Sequence, residues 1–158
     1  MAMDGLQRAA WEYVAGRMFP EDLPMLAARA LADGADSPAL CELAALSRRS
    51  DPVEIRELFA SALTELGITL PSYEQAGRRD LRRLAEDLVA GRRTPRKTAQ
   101  NCQLSDSWMN EAESDFVAWC CYFDDMVDEV PVEHVPGLET ELVNFARAVI
   151  EGTQEQLQ

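Results

Sequence analysis

The residues most able to do chemistry in this sequence are carboxylates gathered in its last third. Asp124, Asp125, Asp128 and Glu129 fall close together, and Glu133 follows shortly after. On a helix, residues four apart are neighbours, so Asp124 would repel Asp128. In the same way Asp125 would repel Glu129, and each pair would cost roughly 0.2 to 0.5 kcal/mol. Negative charge near a helix C-terminus also opposes the helix dipole. Such breaches of local rules are concentrated at functional sites, so the cluster predicts a binding site for a cationic group.

Two alternatives to a partner site remain open for these carboxylates. They can form a solvated acidic face, or they can hold a divalent cation in a metal-dependent enzyme that uses helix carboxylates such as Asp124 and Asp128. Hard cations require several oxygen ligands, yet the sequence contains neither a DxDxDG loop nor the ExxH pair of a di-iron bundle. We therefore expect no metal and no cofactor.

A row of arginines precedes the acidic region. Its members recur at steps of three and four residues, which places them along one side of a helix, and the positive charge continues through residues 92–97. We expect several of these arginines to pair with the acidic last third; a solvated helix face is the alternative. The charged helix face comprises Arg78, Arg79, Arg82 and Arg83.

Charge is strongly sorted along the chain, and this bears on the class of partner. Residues 98–158 carry thirteen acidic residues against one arginine, residues 78–97 carry eight basic against three acidic, and the formal net charge is −13. The negative electrostatic field of the chain favours a basic protein partner, and an anionic membrane surface would repel the chain. A helical nucleic-acid-binding regulator is an alternative. It is disfavoured because the helix that would read DNA begins DPVEIRE and no aromatic residues interleave the arginines.

The sequence contains few candidate residues for nucleophilic or acid–base catalysis. The one histidine, His134, lies in a proline-bounded connection, and the neighbouring Cys120 and Cys121 lie among aromatic and acidic residues that would raise a thiol pKa. We expect these cysteines to be packed in the core. The four cysteines lack the spacing of a disulfide scaffold, and the N-terminus lacks a secretory pattern, so a reduced, cytoplasmic protein is expected.

Helical periodicity runs through almost the whole sequence and predicts an all-α fold without a sheet. We expect a compact bundle of six or seven helices in a single domain over 1–158, with a polar tail at 153–158. Residues 92–105 are expected to form an irregular connector, in which Thr94 and Pro95 can start one or two helical turns. A long central helix is predicted from about 106 to 130, followed by an extended connection, PVEHVP. Ser37, Asp51 and Ser72, each next to a proline, mark helix starts, while glycines mark helix ends.

In size, acidity and helical content the chain is similar to several unrelated small proteins, among them bacterial immunity proteins that neutralise a basic toxin. Arginine and alanine are abundant and Lys97 is the only lysine, which suggests a GC-rich, bacterial genome. The likeness concerns composition alone and transfers no site. It implies an immunity-like or adaptor role, with a basic protein as the partner.

Overall fold

A computed structural model describes residues 2–102 and 107–155, and within them every regular element is a helix. The all-α prediction is confirmed for these residues, although they contain eight α-helices rather than six or seven. These residues also form two short 3-10 helices, Pro20–Asp22 and Val132–His134. The α-helices are α1 Ala2–Val14, α2 Leu23–Ala32, α3 Pro38–Ala45, α4 Pro52–Glu65, α5 Tyr73–Val89, α6 Pro95–Asn101, α7 Glu111–Met126 and α8 Val135–Glu155.

The chain divides into two compact units, 1–77 and 78–158. The first unit contains α1 to α4 and packs its own hydrophobic core, in which Leu6, Leu23, Leu43, Ile55 and Phe59 are almost completely buried. Helix α3 packs between α2 and α4. A single domain over 1–158 stays a prediction.

The second unit packs α6, α7 and α8 together with most of α5 around a separate core. Phe116, Cys120 and Phe123 recur along α7 at steps of three and four residues and are at most 1% exposed. Leu81 of α5 and Leu142 of α8 complete the centre of this core. Helix α7 therefore packs against both α6 and α8 and supplies the centre of this core.

Several helix boundaries follow directly from local side-chain chemistry. The Ser72 hydroxyl accepts the Gln75 N–H at 3.1 Å and the Gln75 side chain accepts the Ser72 N–H at 2.9 Å, which forms the expected capping box. Helix α4 ends at Glu65, and two residues later Gly67 has a φ of 69°, while the N–H of Ile68 returns to the Leu63 carbonyl at 2.8 Å. This left-handed geometry favours glycine, so the predicted stop is confirmed.

The weaker segments depart from their predicted boundaries. The helical turns expected at Thr94 and Pro95 form α6, which Thr94 caps by accepting the Lys97 N–H at 3.3 Å, so the 92–105 connector is more regular than predicted. The long helix begins at Glu111 rather than near 106, and it ends at Met126 rather than 130. Residue 106 itself lies outside the described residues. The PVEHVP segment forms a 3-10 helix and the first turn of α8 instead of an extended connection. Helix α8 continues to Glu155, three residues into the predicted tail, and 156–158 lie outside the described residues.

Candidate functional site

Helix α7 is fixed at its N-terminus by a carboxylate that the sequence analysis did not single out. Glu113 is 5% exposed, and its side chain accepts the Asn110 N–H at 2.8 Å while the Asn110 side chain accepts the Glu113 N–H at 2.9 Å. Arg78 lies 3.3 Å from the same carboxylate, donates to the Trp108 carbonyl and stacks 5.7 Å from the Trp108 ring centre. A buried charge needs such partners, so this cluster positions α7. The NxxE spacing was the signal for it.

The predicted acidic residues lie at the opposite end of α7. We call this set the acidic corner, and each of its five side chains is exposed. Two of them belong to the last turn of α7, two to the following turn, and one to the 3-10 helix, so the expectation that four lie on the helix is wrong. No basic residue occupies the last turn of α7. The acidic corner comprises Asp124, Asp125, Asp128, Glu129 and Glu133.

One member of the acidic corner already binds a guanidinium group of the same chain. Asp128 accepts two hydrogen bonds from Arg96 of α6, from Nη1 to Oδ2 at 3.1 Å and from Nη2 to Oδ1 at 2.5 Å. These hydrogen bonds hold the pKa of Asp128 below its ordinary value of 3.8. They also raise the pKa of Arg96, to which the charge of Asp124 adds a smaller contribution. Asp128 is therefore paired with a cation of the same chain.

The other four carboxylates of the acidic corner lack such a pair. Within the described ranges, no ion pair is found for Asp124, Asp125, Glu129 or Glu133. Consecutive helical residues are about 100° apart around the axis, so Asp124 and Asp125 face different directions, and only the charge of Asp124 contributes to the raised pKa of Arg96. The acidic corner thus has one carboxylate paired with α6, at Asp128, and an open, negative side.

The arginine row divides between structural and exposed positions. Arg78 and Arg82 are partly buried, whereas Arg79 and Arg83 are exposed. Arg82 pairs within its own helix, with Glu86 at 2.8 Å, and Arg92 pairs with Asp87 at 2.8 Å. The described contacts with the acidic last third come from Arg78, at Glu113, and from Arg96, at Asp128.

The thiols and the histidine do not form a nucleophilic site in this structure. Cys120 is buried, and a hydrogen bond with the Cys102 thiol, together with burial, raises its pKa far above the ordinary value, which disfavours the thiolate. Cys121 is exposed, so its predicted place in the core is wrong. His134 is exposed at the end of the 3-10 helix, and its backbone N–H donates to the Pro131 carbonyl at 2.8 Å.

Two wider properties of the described residues bear on the alternatives. No three histidine, cysteine or carboxylate side chains come together there in a group that could hold a metal ion. None of the helices formed by residues 2–102 and 107–155 combines the length and the apolar character needed to cross a bilayer.

Comparison with known proteins adds no assignment. No protein-family model matches the sequence, and no curated protein or solved structure shows significant similarity to it.

Proposed function

We propose that this chain is a non-catalytic, cytoplasmic binding protein that docks a basic protein partner on the open side of its acidic corner, in an immunity-like or adaptor role. The residues that contact the partner are Asp125, Glu129 and Glu133, with Asp124 and the already paired Asp128 at the border. The observation that carries the proposal is that one carboxylate of the cluster binds an arginine while the others are exposed without a described ion pair.

The pair between Arg96 and Asp128 supports the proposal because it displays the chemistry required of a partner. A planar guanidinium presents parallel N–H groups that match a carboxylate, and this geometry makes arginine the preferred cation at protein interfaces. Here the cluster binds one such group with both carboxylate oxygens. A partner arginine would find the same kind of acceptor at Asp125 or Glu129.

The electrostatic cost of the open side supports the same conclusion. Asp125 lies in the last turn of α7, where the exposed carbonyl groups already carry partial negative charge. The second unit as a whole carries nine basic residues against sixteen acidic ones. A cationic partner would relieve both the local and the wider repulsion, and the field would accelerate its association at low salt.

A capture experiment tests the proposal. The tagged protein is incubated with lysate from its source at low and at high salt, beside a variant with Asp125→Asn, Glu129→Gln and Glu133→Gln. A matched control, Glu42→Gln with Glu54→Gln and Glu57→Gln, changes the net charge equally at exposed positions of the first unit. We expect the wild type and the control to retain basic proteins at low salt, and we expect the acidic-corner variant to lose them.

High salt should release the same partners, because ions screen interactions between exposed charges beyond about 10 Å at 0.1 M. Retention by the acidic-corner variant, or an affinity that ignores salt, would contradict the proposal.

A further inference from the structure

A groove lies between the N-terminal half of α7 and the C-terminal half of α8, away from the acidic corner. Its volume is about 490 Å³. It is shallow and widely open to solvent. The groove is lined by Asn110, Glu111, Ala112, Asp115, Phe145, Ala148 and Gly152.

The surface of the groove is apolar at its base and acidic at one edge. Phe145, Ala148 and Ala112 supply carbon surface, and a methyl group built on Gly152 would meet no atom within 4 Å. Glu111 and Asp115 form the acidic edge and are exposed. They are four residues apart on α7 and so repel each other. The positive end of the α7 dipole offsets part of this charge, chiefly at Glu111 in the first turn.

We propose that this groove accepts the side chain of an arginine supplied by the basic partner, as a second anchor point beside the acidic corner. The inference rests on the proposed function and specifies the partner's chemistry. An arginine combines an aliphatic stem, which suits the carbon surface, with a guanidinium that reaches the two carboxylates. The ring of Phe145 adds a face on which a guanidinium can stack.

A run of aromatic rings connects the groove with the acidic corner. The ring centre of Trp119 lies 5.3 Å from that of Phe145 and 4.9 Å from that of Tyr122, which is 44% exposed. Tyr122 precedes Asp125 by three residues, so the rings lead along one side of α7 towards the open carboxylates. From Asp115 to Asp125 the helix rises about 15 Å, a span that a short basic segment of one partner can cover.

Binding of alkylguanidinium ions to the isotopically labelled protein, followed by amide NMR shifts, tests the groove. We expect butylguanidinium to shift the amides of Ala112, Asp115, Ala148 and Gly152, with half-saturation at about one tenth of the methylguanidinium concentration, because part of the longer chain is buried on the carbon surface. Equal half-saturation for the two ions would show that the apolar base contributes nothing and would overturn the inference.

Variants separate the groove from the acidic corner. Ala148→Trp fills the groove without changing charge and should weaken butylguanidinium binding at least about tenfold, whereas Ala118→Trp, on an exposed part of α7, should leave it unchanged. Glu111→Gln with Asp115→Asn should also weaken it. Shifts confined to residues 124–133 would overturn the groove site while supporting the acidic corner. Absence of groove shifts at millimolar ion would overturn the groove alone, since the capture experiment judges the proposed function separately.

Discussion

Carboxylates at the two ends of α7 meet opposite conditions. At the N-terminus, Glu113 is buried, completes a capping box and lies against Arg78, so local structure accounts for its charge. At the C-terminus, Asp125 and Glu129 are exposed beside carbonyl groups that already disfavour negative charge. A carboxylate therefore stabilises the N-terminal end of the helix and destabilises its C-terminal end. The contrast separates carboxylates that hold the fold from those available to a partner.

The largest effect is expected at the buried end. Glu113→Ala removes the capping box and the Glu113 contact with Arg78. It should lower the free energy of unfolding by about 2 to 3 kcal/mol, a value reduced because Arg78 is about one third exposed. Denaturant unfolding followed by tryptophan fluorescence measures it. The control is Glu111→Ala, an exposed neighbour, for which we expect about 0.5 kcal/mol or less. Equal losses of unfolding free energy in the two variants would show that Glu113 contributes no more to stability than its exposed neighbour Glu111.

Neutralising the open end should have the opposite sign. The combined variant Asp125→Asn, Glu129→Gln and Glu133→Gln is expected to raise the free energy of unfolding by about 0.5 kcal/mol at low salt, because it removes negative charge near the α7 C-terminus. The gain should shrink as salt is added. A clear loss of stability would indicate that these carboxylates support the fold, contrary to the comparison.

The smallest effect concerns the border of the acidic corner and depends on pH. Because Arg96 holds the pKa of Asp128 below 3.8, the pair stabilises the fold above that value and loses its contribution as pH falls through the lowered pKa. Arg96→Gln should return the Asp128 pKa towards 3.8, as read from the NMR titration of its carboxyl carbon. Lys97→Gln, which removes an adjacent exposed cation, should leave the Asp128 titration in place. An unchanged midpoint in Arg96→Gln would refute the pairing.

Local patterns in the sequence predicted the helices that carry their own start and stop signals. The Ser72 and Gln75 capping box and the left-handed Gly67 depend on neighbours within a few residues, so they could be read directly. Helix α6 was indicated only by its start at Thr94 and Pro95, because it is short and its buried residues are Thr98 and Ala99, which leaves little periodic pattern. The C-terminus of α7 was extended too far because Val127 continues the apolar stripe although the helix ends there.

The composition of the acidic corner was visible in the sequence, but its division was not. The contact between Arg96 and Asp128 joins residues 32 positions apart and depends on how α6 packs against α7. The groove beside Phe145 likewise exists only once α7 and α8 lie together. Periodicity identifies which side of a helix is apolar, but tertiary packing decides which polar groups on the remaining surface receive a partner.

The most direct test of the account is zero-length carbodiimide cross-linking of the captured complex, with the joined peptides identified by mass spectrometry. This reagent links carboxylates to amines, and the chain has a single lysine, Lys97, so internal links through side chains are few. We predict that lysines of the partner become joined to Asp125, Glu129 or Glu133. Links from a captured basic partner that fall elsewhere and spare all three residues would contradict the central claim.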